Sequence, residues 1–239
     1  MEIRRFFVAK QDIAGSVVTL CGDEFVHMTK VLRYKVGYKA IVCANDGIEH
    51  ICTVSEIGKD FAKLNIDESK VVDRKSVEIT LFAGLLKNNK LDFAVQKAVE
   101  LGVDKIIPFT SANCAENKFS QDRANKIALE AGKQCGSAYI SEVGELIDFD
   151  SLITTLKDFD DVVFAYEFEK EHSVDKCLPK GKKIALIVGP EGGFQPDEAK
   201  RIKDVGAKPV SLGRRILRAE TASIILSALI LYGLGELNC

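Results

Sequence analysis

The chain has seven cysteines, at positions 21, 43, 52, 114, 135, 177 and 239, but no two stand in C-x-x-C spacing. The number is odd and the positions are scattered, so neither a disulfide framework nor a zinc site is indicated, and no metal is expected. Reduced thiols in a cytoplasmic protein fit this pattern best. Long hydrophobic runs are lacking as well. The longest, 222–231, is too short to span a bilayer and is interrupted by Ser223 and Ser227, so no membrane partner is expected. The first seven residues contain no apolar h-region, and no signal peptide is expected. An excess of charge of either sign is missing too. Lys and Arg number 33 against 35 Asp and Glu, a formal net charge of −2, which argues against a general nucleic-acid binder. There is no G-x-x-x-x-G-K-[ST] sequence, no internal repeat and no low-complexity segment. What is present is ordinary for a soluble globular protein. The 239 residues are 46% apolar and 28% charged, enough for a real core in one large or two modest domains.

Charge is unevenly distributed. Acids dominate 142–175, and bases dominate 180–218, where Arg214, Arg215 and Arg218 lie close together. A second basic stretch between Phe25 and Asn45 holds Lys30, Arg33, Lys35 and Lys39 and no acid. Separated patches of one sign suit a phosphate-contacting face on a near-neutral protein. The competing reading, solvated faces of helices and strands, stands beside it.

Residues 1–72 read as short strands with one helix. Strand-like runs at 5–9, 16–20, 40–44, 48–55 and 61–66 surround a helical pattern at 22–32. Asn45-Asp46-Gly47 between two β-rich runs signals a hairpin. A small, mostly β, barrel-like module is the natural reading, closed by a polar boundary at Asp73–Ser76. From Val77 strands alternate with helices: strands at 78–85, 105–109, 161–166, 183–188 and 209–212, and helices at 90–101, 120–135, from Pro196, and 218–234. Gly102 is placed to end the first of these helices. The alternation predicts a mostly parallel sheet covered on both faces. The last helix has almost no polar face, and a helix apolar all round is buried on all sides. In a domain of this size that points to a second subunit, and hence a homodimer, against a central core helix within one chain.

Two loops near the C-terminus carry the strongest chemical signal. Each follows an apolar strand and precedes a helix. The first runs Ile187-Val188-Gly189-Pro190-Glu191-Gly192-Gly193-Phe194, and the second Leu212-Gly213-Arg214-Arg215-Ile216-Leu217-Arg218-Ala219-Glu220-Thr221-Ala222. Loops at the carboxyl ends of neighbouring strands are where open α/β sheets bind ligands. Glycines let backbone approach a ligand closely, and arginines add fixed charge in a forked donor geometry. A small cofactor beside an electron-rich partner is the site this predicts.

In order and spacing, these paired loops resemble the signatures of the ribosomal small-subunit RNA (uracil-N3)-methyltransferases, of the SPOUT superfamily. The likeness extends over nearly the whole chain, through RRFFV at the start, HMTKVLRYKVG at 27–37, LLKNNKLDFAVQKAVELGVDKIIPF at 85–109 and EAGKQCG at 130–136. The resemblance implies a PUA-like β-barrel RNA-binding domain over 1–72 and an α/β methyltransferase domain over 77–239, with a parallel sheet and a C-terminal trefoil knot. The chain departs from the family pattern in places. Arg214 and Ala219 stand where the second loop usually has proline and threonine. Ser111–Lys118 replaces a more basic segment, and Ser137 an arginine. These changes bear on the RNA-binding surface more than on the cofactor pocket.

The activity implied is transfer of a methyl group from S-adenosylmethionine to N3 of a specific uridine in 16S ribosomal RNA, free or in the assembled small subunit. N3 must lose its proton to become nucleophilic, and negative charge then spreads onto O2 and O4. Preorganised positive charge lowers that barrier. Arg218 and next Arg215 are assigned to this role. Neither can be the base, since arginine stays protonated. Glu220 is the candidate proton acceptor, against a salt bridge to a neighbouring arginine or proton loss to solvent. The resemblance places the cofactor on Leu85, Gly189, Pro190, Glu191, Gly192, Gly193, Leu212, Gly213, Ile216, Leu217 and Ala222, and RNA on Arg5, Lys30, Arg33 and Lys90. Of the histidines, His50 and His172 read as exposed, and His27 as either exposed or touching nucleic acid. Three rivals stay open: a phosphate-binding hydrolase using the first loop, a non-catalytic RNA-binding module, and ribose 2′-O methylation within the same superfamily.

Overall fold

The computed structural model of the chain describes residues 3–87 and 89–237, so Asn88 and Cys239 fall outside the described residues. By its contacts the chain divides into two units. One comprises Met1–Arg74 and takes in Gly132–Ile140; the other comprises Lys75–Ala131 and Ser141–Cys239.

The first unit contains β1 (Arg4–Phe7), β2 (Ile13–Ala14), β3 (Val17–Cys21), α1 (Gly22–Val26), β4 (Lys39–Cys43), β5 (Ile48–Ile57) and β6 (Phe61–Val71). A π-helical turn, His27–Val31, extends α1. Among the described residues these strands form one sheet in the order β1-β4-β5-β6-β3-β2. The β1–β4 pair is parallel and the remaining pairs are antiparallel. Period-two alternation gives the sheet one apolar face: Val18 and Leu20 of β3, Ala40 and Val42 of β4, and Ala62 and Leu64 of β6 point into a core with Phe6, Phe25, Met28 and Tyr34. Register shifts between β5 and β6, at Ile51/Cys52 and Val54/Glu56, bend the long hairpin around that core. The expected turn at Asn45-Asp46-Gly47 is present, with Asn45 at φ 56 and Gly47 at φ 78. Both values suit the residue types found there.

The second unit contains β7 (Glu78–Gly84), α2 (Lys90–Leu101), β8 (Lys105–Phe109), α3 (Gln121–Cys135), β9 (Glu142–Val143), α4 (Phe149–Thr155), β10 (Asp161–Ala165), β11 (Lys183–Val188), α5 (Pro196–Asp204), β12 (Lys208–Val210) and α6 (Ala219–Gly233). The last turn of α3 belongs to the first unit. The sheet order is β12-β10-β11-β7-β8-β9, and every pair is parallel. Both faces are covered, which is why the interiors of the central strands are nearly continuous apolar runs, with Thr80 of β7 the buried polar exception. Ile79, Leu81, Ile184 and Leu186 face one core with α2 and α6. Phe82, Ala185 and Ile187 face the other with Phe109, Phe164, Ala199 and Ile202.

The structure adds α4, which periodicity did not reveal in the acidic stretch. Its signal is local: Asp148 accepts a hydrogen bond from Ser151 N at 2.8 Å as the N-cap. β12 starts and stops earlier than expected. It pairs only with β10 and is an edge strand, a position that tolerates Pro209, and Leu212 is left to the following loop. α6 is not enclosed within the single chain. Ala222, Leu226, Ile230 and Leu231 are buried, whereas Leu229 and Tyr232 are 41% and 65% exposed.

Candidate functional site

β12, β10 and β11 are neighbours, and all three run parallel. The chain therefore leaves all three at the same end of the sheet, and the loops that follow meet there. They enclose a cavity of about 530 Å³, lined by Tyr166 and Glu167 after β10, by 189–191, 193 and 194 after β11, and by 211–218 after β12, with Lys90 of α2 and Ala219 and Ala222 of α6 at its sides. This is the carboxyl-end crevice expected of an open α/β sheet.

The glycine loop is held from several directions. Gly193 N donates to Pro190 O at 2.9 Å. Gly193 has φ +65, and a Cβ there would fall on the Glu167 carboxylate, so glycine is required twice over. Phe194 is buried beneath the loop, its ring stacked on Phe109 and edge-on to Phe164. Asn113 Nδ2 donates to Gly192 O at 2.9 Å, and Gln195 Nε2 donates to Asn113 Oδ1 at 2.6 Å. Glu198 is buried, yet both of its oxygens are satisfied, by Gln195 N at 2.9 Å and Ala112 N at 2.8 Å. Asn113 and Ala112 lie in the 111–118 segment, so in this chain that segment braces the loop. Glu191 accepts from Lys90 Nζ at 2.9 Å and from Lys87 N at 3.2 Å. Partial burial works to raise its carboxyl, but the Lys90 hydrogen bond and backbone donors hold it below the ordinary glutamate range.

The arginine loop is tied at its start and open beyond it. Ser211 N donates to His172 O at 2.8 Å. Leu212 and Leu217 turn into the core around α6. Arg214, Arg215, Ile216 and Arg218 are exposed. Among the described residues, none of these three arginines makes a side-chain hydrogen bond or an ion pair, whereas Arg201 and Lys208 of the same basic stretch are paired with Asp150 and Asp161. Arg218 is the N-cap residue of α6. The cavity thus presents uncompensated guanidinium charge beside a glycine-built cradle.

Most of the residues singled out from sequence line this one cavity: Gly189, Pro190, Glu191, Gly193, Leu212, Gly213, Ile216, Leu217, Ala222, Arg215, Arg218 and Lys90. Leu85, Gly192 and Glu220 do not. Leu85 is buried in the core. A Cβ on Gly192 would meet Asn113, so this glycine serves the loop's packing. One Glu220 carboxylate oxygen is buried without a hydrogen-bond partner, in the first turn of α6. Arg5 is also differently employed: its guanidinium donates to Glu49 Oε1 at 2.7 Å and Cys43 Sγ at 3.0 Å, with its side chain 8% exposed. That buried pairing leaves it unavailable to a phosphate. Lys30 and Arg33 are exposed in the first unit. Sequence reasoning missed Tyr166, Glu167 and Ser211, whose signal was their position just past a strand end. Among the described residues, no three His, Cys, Asp or Glu side chains come together as a metal site, and no helix is long and apolar enough to cross a membrane.

Comparison with known proteins points the same way as this geometry. The family model described as "RNA methyltransferase domain" matches residues 73–231, and the one described as "RNA methyltransferase PUA domain" matches residues 20–67. The chain is 30% identical to the ribosomal RNA small subunit methyltransferase E of Bacillus subtilis, with 96% of each chain covered. It is 30% identical to the protein of the same name from Rickettsia conorii, over 94% of this chain and 93% of that one. In structure it is similar to a ribosomal RNA small subunit methyltransferase E from Neisseria gonorrhoeae bound to S-adenosyl methionine. The TM-score is 0.86 and the identity 26%, covering 97% of this chain and 98% of that one.

Proposed function

This chain belongs to the RNA methyltransferase family, and on that premise we propose that it methylates N3 of a specific uridine in small-subunit ribosomal RNA, using S-adenosylmethionine. The observation that carries this reading is the single cavity in which a glycine cradle and three unpaired arginines meet. The cradle fits the cofactor: a Cβ at Gly193 would collide, and the walls at Val188, Leu212, Leu217 and Ala222 are apolar, with backbone polar groups between them. Bound there, S-adenosylmethionine supplies an electrophilic methyl group on its sulfonium.

The chain's own residues do the rest. Arg218 and Arg215 offer fixed positive charge to O2 and O4 of the uracil as N3 loses its proton, and with no competing ion pair among the described residues their guanidiniums are available to the developing anion. Holding base and cofactor together in one cavity removes the entropy cost of their encounter. Glu220 is a weak candidate for the proton acceptor, because it does not line the cavity. Uridine N3 is favoured over a ribose hydroxyl because unpaired arginines suit a delocalised anion.

Residues 1–72 act in this reading as the PUA-like RNA-binding domain, with Lys30 and Arg33 on phosphates, and 77–239 as the methyltransferase domain. The trefoil knot around the two C-terminal loops, the homodimer and a cytoplasmic location belong to the same proposal. The exposed Leu229 and Tyr232 on α6 support the homodimer. Nucleoside mass spectrometry of ribosomal RNA from a strain lacking the protein is the test. Loss of one 3-methyluridine from small-subunit RNA, restored by the purified chain with S-adenosylmethionine, is expected. An unchanged 3-methyluridine content would overturn the reading.

A further inference from the structure

Two carboxylates line the cavity, Glu191 and Glu167. Glu191 is neutralised by Lys90 at 2.9 Å. Glu167 differs: among the described residues its side chain makes no hydrogen bond and no ion pair. It follows β10, the strand flanked by β11 and β12, so it stands between the glycine loop and the arginine loop. On one side it lies against Gly193, where no Cβ could be accommodated. Arg214, Arg215, Arg218 and Lys90 line the same cavity.

A cavity so rich in guanidinium repels a cationic ligand unless some acid offsets it. S-adenosylmethionine carries two positive centres, a sulfonium and an α-ammonium, against one α-carboxylate, and of the two cationic centres only the ammonium can donate hydrogen bonds. We propose that Glu167 is the residue that recognises the cofactor's amino-acid end, accepting hydrogen bonds from its α-ammonium. This rests on the reading of the cavity as an S-adenosylmethionine site.

Two other roles for Glu167 fit less well. A neutral ribose hydroxyl does not call for a full charge. A proton acceptor would have to face the reacting base, whereas the Glu167 carboxylate lies against Gly193 of the glycine cradle. A charge-assisted hydrogen bond from an ammonium uses both the charge and the position. It also gives Gly193 a second purpose, since the residue that clears room for the loop clears room for this carboxylate.

The test is isothermal titration of wild type and Glu167→Gln with two probes: S-adenosylhomocysteine, and the same molecule lacking its α-amino group. Glu167 is exposed and has no partner among the described residues, so the substitution leaves the fold intact, which an unchanged unfolding midpoint verifies. Wild type should bind the deaminated probe about 10- to 100-fold more weakly, the range for a hydrogen bond to a charged group. Glu167→Gln should lose about the same factor for S-adenosylhomocysteine and bind the deaminated probe as wild type does. Glu167→Asp, with charge but shorter reach, should fall between. If Glu167→Gln still discriminates the amino group as wild type does, the proposal is overturned. Unchanged binding with lost turnover also overturns it, and makes Glu167 a base instead. Failure of wild type to bind S-adenosylhomocysteine at all would overturn the cofactor reading itself, a separate outcome.

Discussion

Lys90 Nζ donates to Glu191 Oε1 at 2.9 Å, joining the first turn of α2 to the glycine loop after β11. The two side chains are about a third exposed, so solvent screens the pair and it contributes no more than about 1 kcal/mol. The Glu191 carboxyl is held below its ordinary range in the folded chain. A depressed carboxyl stabilises above its unfolded value and loses that stabilisation as pH falls through the folded one. Lys90→Met should therefore lower the thermal midpoint slightly at neutral pH. The gap to wild type should begin to narrow as the pH drops below about 4.3, the ordinary glutamate value, and close as the carboxyl protonates in the folded chain. A gap that widens on acidification would count against the pairing.

Arg218 lines the cavity, is exposed and has no partner among the described residues. If it stabilises charge on the uracil, Arg218→Ala should cost on the order of 10²–10³ in turnover while S-adenosylhomocysteine still binds. Lysine should rescue only in part, because it lacks the forked geometry. Single-turnover methylation at saturating cofactor reads the effect. A rate within a few-fold of wild type would move the role to Arg215.

Leu229 and Tyr232 leave an apolar strip of α6 exposed in the single chain. The wild-type protein should sediment as a dimer at micromolar concentration. Leu229→Glu should give a folded monomer, because the side chain is exposed before association and a buried unpaired carboxylate would be costly after it. A monomeric wild type would remove the dimer from the proposal.

Lys30 and Arg33 are exposed in the first unit. The double substitution Lys30→Ala/Arg33→Ala should weaken RNA binding and flatten its dependence on salt, since each phosphate contact releases counterions. Cofactor affinity should not change. Filter binding across a salt series, paired with titration of S-adenosylhomocysteine, separates this outcome from general damage to the fold.

Burial pushes the Cys52 thiol up to about 12 from an ordinary value of 9.0. A group whose folded value is raised loses its stabilising contribution as pH climbs from the unfolded value to the folded one. Chemical unfolding should show stability falling between pH 9 and about 12, less steeply in Cys52→Ala. At neutral pH the native thiol should resist alkylation that exposed Cys21 undergoes.

The sequence disclosed the elements whose residues speak for themselves. α2 and β11 have the expected bounds because their apolar periodicity and punctuation agree, and α5 begins at Pro196 as expected. The paired loops were legible because glycine and arginine are unusual in that order after two strands. What stayed hidden depends on partners far along the chain. Glu167 looks like one of the eleven acids between 142 and 175 until β10 is seen between β11 and β12. Arg5 looks like a free base until Glu49 and Cys43 close over it. Glu220 looks catalytic from its place in the motif, yet the first helical turn directs it away from the cavity. No local pattern encodes such facing.

The register of the second sheet sets a schedule for its assembly. β7, the first strand of that unit, pairs along its length with β11, Glu78 opposite Lys183, and β11 also carries β10 on its other edge. A chain emerging from synthesis can form β7, α2 and β8 early, but the strand that completes β7 comes more than a hundred residues later. Until then one edge of β7 keeps its backbone N–H and C=O groups unpaired, a condition that slows folding and invites wrong pairing. The cavity inherits that delay, because two of its three loops follow β11 and β12. The chain is thus able to hold its cofactor only once β11 and β12 have joined the sheet.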